Sequence, residues 1–266
     1  MNIVVLVKQV PDTTEIKLDP KTGTLIREGV ASVINPDDRL ALETALRLKE
    51  AHGAVVTVLS MGPPQAIDAV SEAYAMGADR GVLLCDPNFA GADTRATSFT
   101  LGRAIERLGR EEPVELVLAG RQAIDGDTAQ IGPQVAEHLG WPQVTYVQEL
   151  RLEDGGRLRA WRRLPEGVEE VVCPLPAVAT VLEVPGEVRW PLVDRLLAAC
   201  EDEAPLAVWD AAALGVKARE VGLKGSPTQV RETFSPKGER HTQWLEGSPA
   251  EQAAALLAAL RGHKLL

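Results

Sequence analysis

The chain has 266 residues, with 28 Lys and Arg against 38 Asp and Glu, for a formal net charge of −10. Hydrophobic residues make up 45% and charged residues 25%, the balance of a globular chain long enough to bury a full core. The surplus of negative charge repels phosphate backbones and anionic headgroups, which argues against nucleic acid and membrane surfaces as partners.

The first residues, Asn2-Ile3-Val4-Val5-Leu6-Val7, form a β-branched run without alternation, the pattern of a strand covered on both faces. With no basic leader before it and no small-residue cleavage site after it, the run reads as a buried strand rather than a signal peptide. Pro11 to Gly29 carries turn residues and two short apolar patches, the composition of a surface hairpin. Asn35-Pro36-Asp37-Asp38 then opens a helix with a capping residue, a proline at the first position and acids in the first turn, ending near Gly53. Ala54–Leu59 is a second strand, and Pro63-Pro64 starts a helix that stops near Gly77. Gly81–Leu84 is a third strand, Asp93 caps a helix reaching Leu108, and Val114–Ala119 is a fourth strand. A fourth helix follows from about Thr128 to Leu139.

Strand and helix thus alternate with the period of a βαβ unit, which predicts an α/β fold: a doubly wound, mostly parallel sheet with helices on both faces. Shorter strands at Val144–Leu152, Arg157–Arg163, Val168–Cys173 and Ala177–Leu182 either extend the sheet or form an antiparallel edge. After Trp190 the chain holds scattered Pro and Gly, an acidic patch at Glu201-Asp202-Glu203 and a closing Ala/Leu-rich helix over 250–260. The expected organisation is an α/β domain over 1–190 and an extended C-terminal arm over 191–266 that packs on something else. No apolar run approaches the roughly 20 residues of a spanning helix. Cys85, Cys173 and Cys200 are odd in number and form no C-x-x-C, which suits a reducing cytoplasm better than a disulfide framework.

Open α/β sheets bind ligands beyond the carboxyl ends of their strands. That rule selects Leu6–Gln9, Ser60–Pro63, Cys85–Thr97 and Gly120–Gly132, with Asn35–Asp38 at the same edge. In the last loop, two glycines allow positive φ and close backbone approach. Asp127 followed by Gln130 looks like a capping box at a helix start where a phosphate could sit. Arg121 and Lys8 are the counter-charges, while the acids suit helix caps or ribose hydroxyls. Neither G-x-G-x-x-G nor G-x-x-x-x-G-K-[ST] is present, and H-E-x-x-H, G-x-S-x-G and S-x-x-K are absent too. By these residues alone, a plain α/β protein with a long loop and a capped helix is as good a reading as a nucleotide site. The histidines fit helix ends, and the five tryptophans fit packing anchors or an interface.

At these same loops the sequence resembles the beta subunit of electron-transfer flavoproteins along nearly its whole length. The segments that carry the likeness are Val7-Lys8-Gln9-Val10-Pro11-Asp12, Ile34-Asn35-Pro36, Ala75-Met76-Gly77-Ala78-Asp79, Gly120–Gly132 and Leu175-Pro176-Ala177-Val178. The resemblance implies an electron-transport protein rather than a stand-alone enzyme, in a heterodimer whose alpha subunit carries the electron-transferring FAD. The beta subunit would hold a second nucleotide: AMP in the respiratory type, FAD in the bifurcating type. It further implies that this nucleotide site is lined by Leu6, Asn35, Pro36, Asp37, Asp38, Met61, Gly120, Arg121, Gln122, Ala123, Ile124, Asp125, Gly126, Asp127, Thr128, Ala129, Gln130 and Ile131. The segments 91–98, 125–130 and 225–230 resemble the bifurcating type in particular, with Thr94 and Thr97 approaching the flavin, so FAD is favoured over AMP.

The partners implied are acyl-CoA or other flavin dehydrogenases and a quinone oxidoreductase, met through the neighbourhood of Trp190–Cys200. Two stretches depart from the family pattern: Leu197–Asp202 lacks the usual basic run, and Arg162–Gly167 alters a strand signature. A free-standing adenine-nucleotide module of the universal-stress-protein type is the competing reading, but it does not need so long a C-terminal segment. A nucleotide-dependent ligase ranks last, because Lys8-Gln9-Val10-Pro11 is not a pyrophosphate loop.

Overall fold

In the computed structural model the described residues are 1–12, 31–201, 203–232 and 242–266. The hub is β1 (Asn2–Leu6), whose side chains alternate: Ile3 and Val5 enter one core, Val4 and Leu6 the other. Two three-residue strands, β2 (Gln9–Pro11) and β3 (Ser32–Ile34), pair antiparallel as a separate small sheet. Beyond Asp12, the hairpin expected before Gly29 lies outside the described residues.

From there the chain winds outward on one side of β1. α1 (Pro36–His52) has Pro36 in its first turn and ends on Gly53 in the left-handed region, as expected. β4 (Val55–Met61) runs parallel to β1 with Leu59 opposite Leu6. α2 (Ile67–Met76) follows a short 3-10 turn, and β5 (Arg80–Leu84) lies parallel to β4. After α3 (Thr94–Glu111) the chain crosses to the other side of β1, where β6 (Leu116–Gly120) sets Ala119 beside Leu6. α4 (Ile131–Leu139) leads to β7 (Gln143–Glu153), β8 (Arg157–Leu164) and β9 (Gly167–Pro174), an antiparallel meander. β10 (Ala177–Val181) inserts parallel between β6 and β7. Both options left open for 144–182 therefore hold: the meander extends the sheet and makes its antiparallel edge.

The remaining elements are α5 (Val193–Cys200), β11 (Leu206–Trp209), α6 (Ala211–Leu214), α7 (Gly222–Gly225) and α8 (Pro249–Gly262). The nine-stranded sheet has the order β11-β5-β4-β1-β6-β10-β7-β8-β9. α1 and α2 pack against one face with Val56, Val58, Leu116 and Leu118. α3, α4 and α6 cover the other face with Leu59, Leu84, Val117 and Val178. The fold is the doubly wound α/β sheet that the alternating pattern implied.

The organisation after Trp190 differs from expectation. Two compact units divide at Val230/Arg231, not at 190/191. Leu206–Trp209 adds a ninth strand in register with Gly81–Leu84, so this stretch completes the sheet instead of leaving it. Four residues between an acidic stretch ending at Pro205 and an alanine-rich one are too few to register as a periodic segment, and only the exposed backbone edge of β5 makes them a strand. The second unit, Arg231–Leu266, contains α8, whose start is a capping box in which Ser248 N and Oγ both donate to Glu251 Oε2 at 2.7 Å.

Candidate functional site

The chain leaves β1 toward β4 and β5, then returns to β6 on the opposite side, so the winding reverses between β1 and β6. Ligands of open α/β sheets lie in the crevice at such a reversal. A cavity of about 600 Å³ opens there, within the range that holds a cofactor-sized ligand. It draws on the ends of β1, β4, β5 and β6 and on the starts of α3 and α4. Of the residues expected at a site, Leu6, Asp38, Met61, Thr94, Thr97, Gly120, Arg121, Gln122, Ala123, Gly126, Asp127, Thr128, Ala129, Gln130 and Ile131 line it. Asn35, Pro36, Asp37, Ile124 and Asp125 do not.

Of these, Asn35, Asp37 and Asp125 hold the rim together with Asp38 through hydrogen bonds and ion pairs. Asn35 is fully buried and does not cap α1 with its side chain, contrary to expectation. Its Nδ2 donates to the Gln122 carbonyl at 2.8 Å, and its Oδ1 accepts from Ile124 N at 3.1 Å, so both ends of one amide clamp the loop after β6. Asp38 Oδ2 accepts from Lys8 N at 2.8 Å and Oδ1 from Gly120 N at 3.1 Å, tying the ends of β1 and β6 together. Burial pushes the Asp38 carboxyl up to about 7, against bonds from Asn35 and the two backbone amides that pull it down.

The candidate counter-charges are already partnered. Lys8 Nζ meets both oxygens of Asp125 at 2.6 and 2.7 Å, with the Asp125 side chain only 5% exposed. Arg121 Nε lies 3.3 Å from Asp37 Oδ2, and the residue lines the cavity.

The capping box read at Asp127 and Gln130 is not formed. α4 begins at Ile131, three residues later than expected, with no side chain capping it. The reason is backbone: Asp127 and Ala129 have φ of 51° and 54°, which interrupts any helix, and Asp127 Oδ1 accepts from Gln122 Nε2. The positive φ thus falls on Asp127 and Ala129, not on the loop's glycines. Alternating hand along 127–130 is the pattern of concave turns that gather N–H groups toward an anion. Gly120 is needed for space instead: a Cβ there would collide with Asp38 Oδ1 and stand 2.6 Å from the Asp37 carbonyl carbon. The glycine is therefore required by the packing of β6 against the start of α1.

On the opposite wall, Asp93 caps α3 through Ala96 N at 2.9 Å, as expected. Thr94 Oγ1 donates to Gln130 Oε1 at 2.8 Å, linking the starts of α3 and α4. The four strand-end loops contain most of the lining. Asp38, Leu59, Pro64, Leu101 and Ala119 lie outside them. Leu101 sits one turn beyond Thr97, so the spacing Thr94, Thr97, Leu101 on one helix face was a usable signal. His138 takes no part: it packs edge-on to Phe99 between α3 and α4.

Fold and crevice define a doubly wound α/β protein with a ligand-sized cavity at its switch point. A model of the electron transfer flavoprotein domain matches residues 22–195. The electron transfer flavoprotein subunit beta of Clostridium acetobutylicum is 47% identical over 261 residues, covering 98% of both chains. The caffeyl-CoA reductase-Etf complex subunit CarD of Acetobacterium woodii is 44% identical over 260 residues, 97% of each, and protein FixA of Azotobacter vinelandii is 42% identical over 98% of this chain and 94% of its own. The chain belongs to the electron-transfer flavoprotein family and is a beta-type subunit. As such it pairs with an alpha subunit and works with flavin-dependent partners. The stress-protein alternative is not favoured by relatives that match from end to end. Among the described residues no helix is long and apolar enough to cross a membrane.

Proposed function

We propose that this subunit holds FAD in the switch-point crevice, with AMP as the alternative occupant, and that the heterodimer carries electrons from acyl-CoA or other flavin dehydrogenases to a quinone oxidoreductase or another acceptor in the cytoplasm. One cavity shared by all four strand-end loops carries the reading, because a carrier must seat its nucleotide without a catalytic group of its own. The loop 120–131 receives the adenosine half. The 127–130 turn and the uncapped start of α4 offer N–H groups to phosphate, and Asp127 faces ribose hydroxyls. Leu6, Leu59, Met61, Phe89 and Leu101 form apolar walls that exclude water, while Thr94, bound to Gln130, and Thr97 line the wall formed by α3. When bound, the flavin supplies the redox chemistry. The protein's part is to hold, orient and dry the site. Extension of the cavity to the start of α3, and the likeness of 91–98, 125–130 and 225–230 to the bifurcating type, favour FAD over AMP.

The partner-facing surface is assigned to Trp190–Cys200. α5 has no buried residue, and Trp190, Leu192, Val193 and Leu197 stand exposed. It is held from behind by polar pins: Arg195 Nε donates to the Tyr74 carbonyl at 2.9 Å and its guanidinium stacks over the Tyr74 ring. The deciding experiment is to denature the purified heterodimer and quantify the released nucleotides. Two FAD per heterodimer support the reading, one FAD and one AMP select the alternative, and no nucleotide beyond the alpha subunit's own FAD refutes both.

A further inference from the structure

The wall of the cavity that carries Thr94 and Thr97 is fastened by residues more than 130 positions away in sequence. Asp93, which caps α3, uses its second oxygen to accept from Thr228 Oγ1 at 2.7 Å and Thr228 N at 3.0 Å. The Asp93 backbone N donates to Ser226 Oγ at 2.8 Å, and Ser226 Oγ donates on to the Gly222 carbonyl at 2.8 Å. Just before, Leu223 N donates to the Ala90 carbonyl at 2.9 Å. Gly222, at φ +55°, lies so close to the Asn88 carbonyl that a Cβ would collide with it. α7 and the turn after it therefore lie flat along the loop from Asn88 to Asp93.

Asp93 borders the cavity, but its carboxylate is engaged by three protein donors and is not offered to a ligand. Thr228 does not line the cavity. The pair thus acts through the start of α3. We infer that Asp93 and Thr228 form a clasp that positions Thr94 and Thr97, so that residues 222–228 set the grip on the distal half of a dinucleotide without touching it. Asp93 and Thr228 are positioning residues. A helix start held only by its own cap would be free to shift with the loop before it. With the clasp closed, the cap, the loop and the distant segment are fixed to one carboxylate.

The inference rests on the reading of the crevice as an FAD site, and the test separates the two. The heterodimer with its alpha subunit is stripped of the nucleotide bound in the beta subunit and titrated with FAD and, separately, with AMP. Thr228→Val keeps the backbone N–H and the shape but removes the hydroxyl; Thr228→Ser keeps the hydroxyl. Loss of one hydrogen bond to a carboxylate should weaken FAD binding about three- to tenfold in Thr228→Val. Thr228→Ser should bind like wild type, and AMP, which meets the α3 wall only through the Thr94–Gln130 bond, should lose less affinity than FAD in Thr228→Val. Asp93→Asn, which retains an oxygen for Ala96 N but turns an NH2 toward the Thr228 N–H, should weaken FAD binding at least as much as Thr228→Val. If the wild-type heterodimer takes up no second FAD, the reading of the site falls and the clasp with it. If it does, and Thr228→Val binds FAD as tightly as wild type, or Thr228→Ser fails to restore binding, the clasp alone is overturned.

Discussion

Asp38 is the group whose behaviour the structure predicts most sharply. A carboxylate accepting two backbone N–H bonds is stabilised as the anion, but removal from water acts the other way, and here burial wins, pushing it to about 7 from an ordinary 3.8. The sign follows from linkage. Between pH 4 and 7 the unfolded chain has lost this proton and the folded chain keeps it, so stability falls as pH rises. At about 1.4 kcal/mol per pH unit, the contribution is complete below pH 4, and about 4 kcal/mol of it is gone once pH passes 7. Asp38→Asn does not titrate; it keeps one acceptor oxygen, so one of the two backbone amides loses its partner at every pH alike.

Guanidinium unfolding of wild type and Asp38→Asn at pH 5, 6, 7 and 8 isolates the effect, because groups common to both cancel. One such group is His138, which burial lowers, so that it contributes with the opposite sign below pH 6.5. Wild type should lose about 2–3 kcal/mol relative to Asp38→Asn between pH 5 and 7 and stay level above pH 8. Parallel curves across the range would show Asp38 ionised throughout, with the amides of Lys8 and Gly120 outweighing burial, and the reasoning would fail.

Gly120→Ala places a methyl group against Asp38 and 2.6 Å from the Asp37 carbonyl carbon. Displacing the start of α1 should cost about 1–3 kcal/mol in denaturant unfolding and lower the nucleotide content of the purified complex. Asp125→Asn removes the partner of Lys8, and since Lys8 is 41% exposed the stability loss should stay near 1 kcal/mol, while released-nucleotide analysis shows a weakened site. Leu197→Glu, on the open face of α5, should change stability by less than about 0.5 kcal/mol. It should raise the KM for a reduced dehydrogenase about tenfold at unchanged flavin content. An unaltered KM would move partner docking away from α5.

Much of the site's position could be read from the sequence, but less of its local geometry. Unbroken apolar strands, amphipathic helices between them and turn residues at their ends are local signals, and they set the α/β alternation and the edge where the loops gather. Asp93 as a cap was legible for the same reason, since a cap and its helix are neighbours in the chain. Asn35 misled because a side chain that could cap its own helix was claimed by Gln122 and Ile124 across the sheet. The start of α4 was placed early because a capping-box pattern says nothing of the left-handed backbone at Asp127 and Ala129.

What the sequence by itself determined, then, was the class of fold, the loops that border the cavity and the family, all carried by short-range pattern and by motifs that keep their order along the chain. Only the tertiary structure decided that Leu206–Trp209 is a strand, that Lys8 is bound to Asp125, that Asp38 sits between two strand ends and that Thr228 reaches Asp93. Each of these is a pairing over 30 or more residues in the chain. Hydrogen-bond donors and exposed strand edges carry no address, and which partner they meet is settled when the two cores close and bring distant segments together.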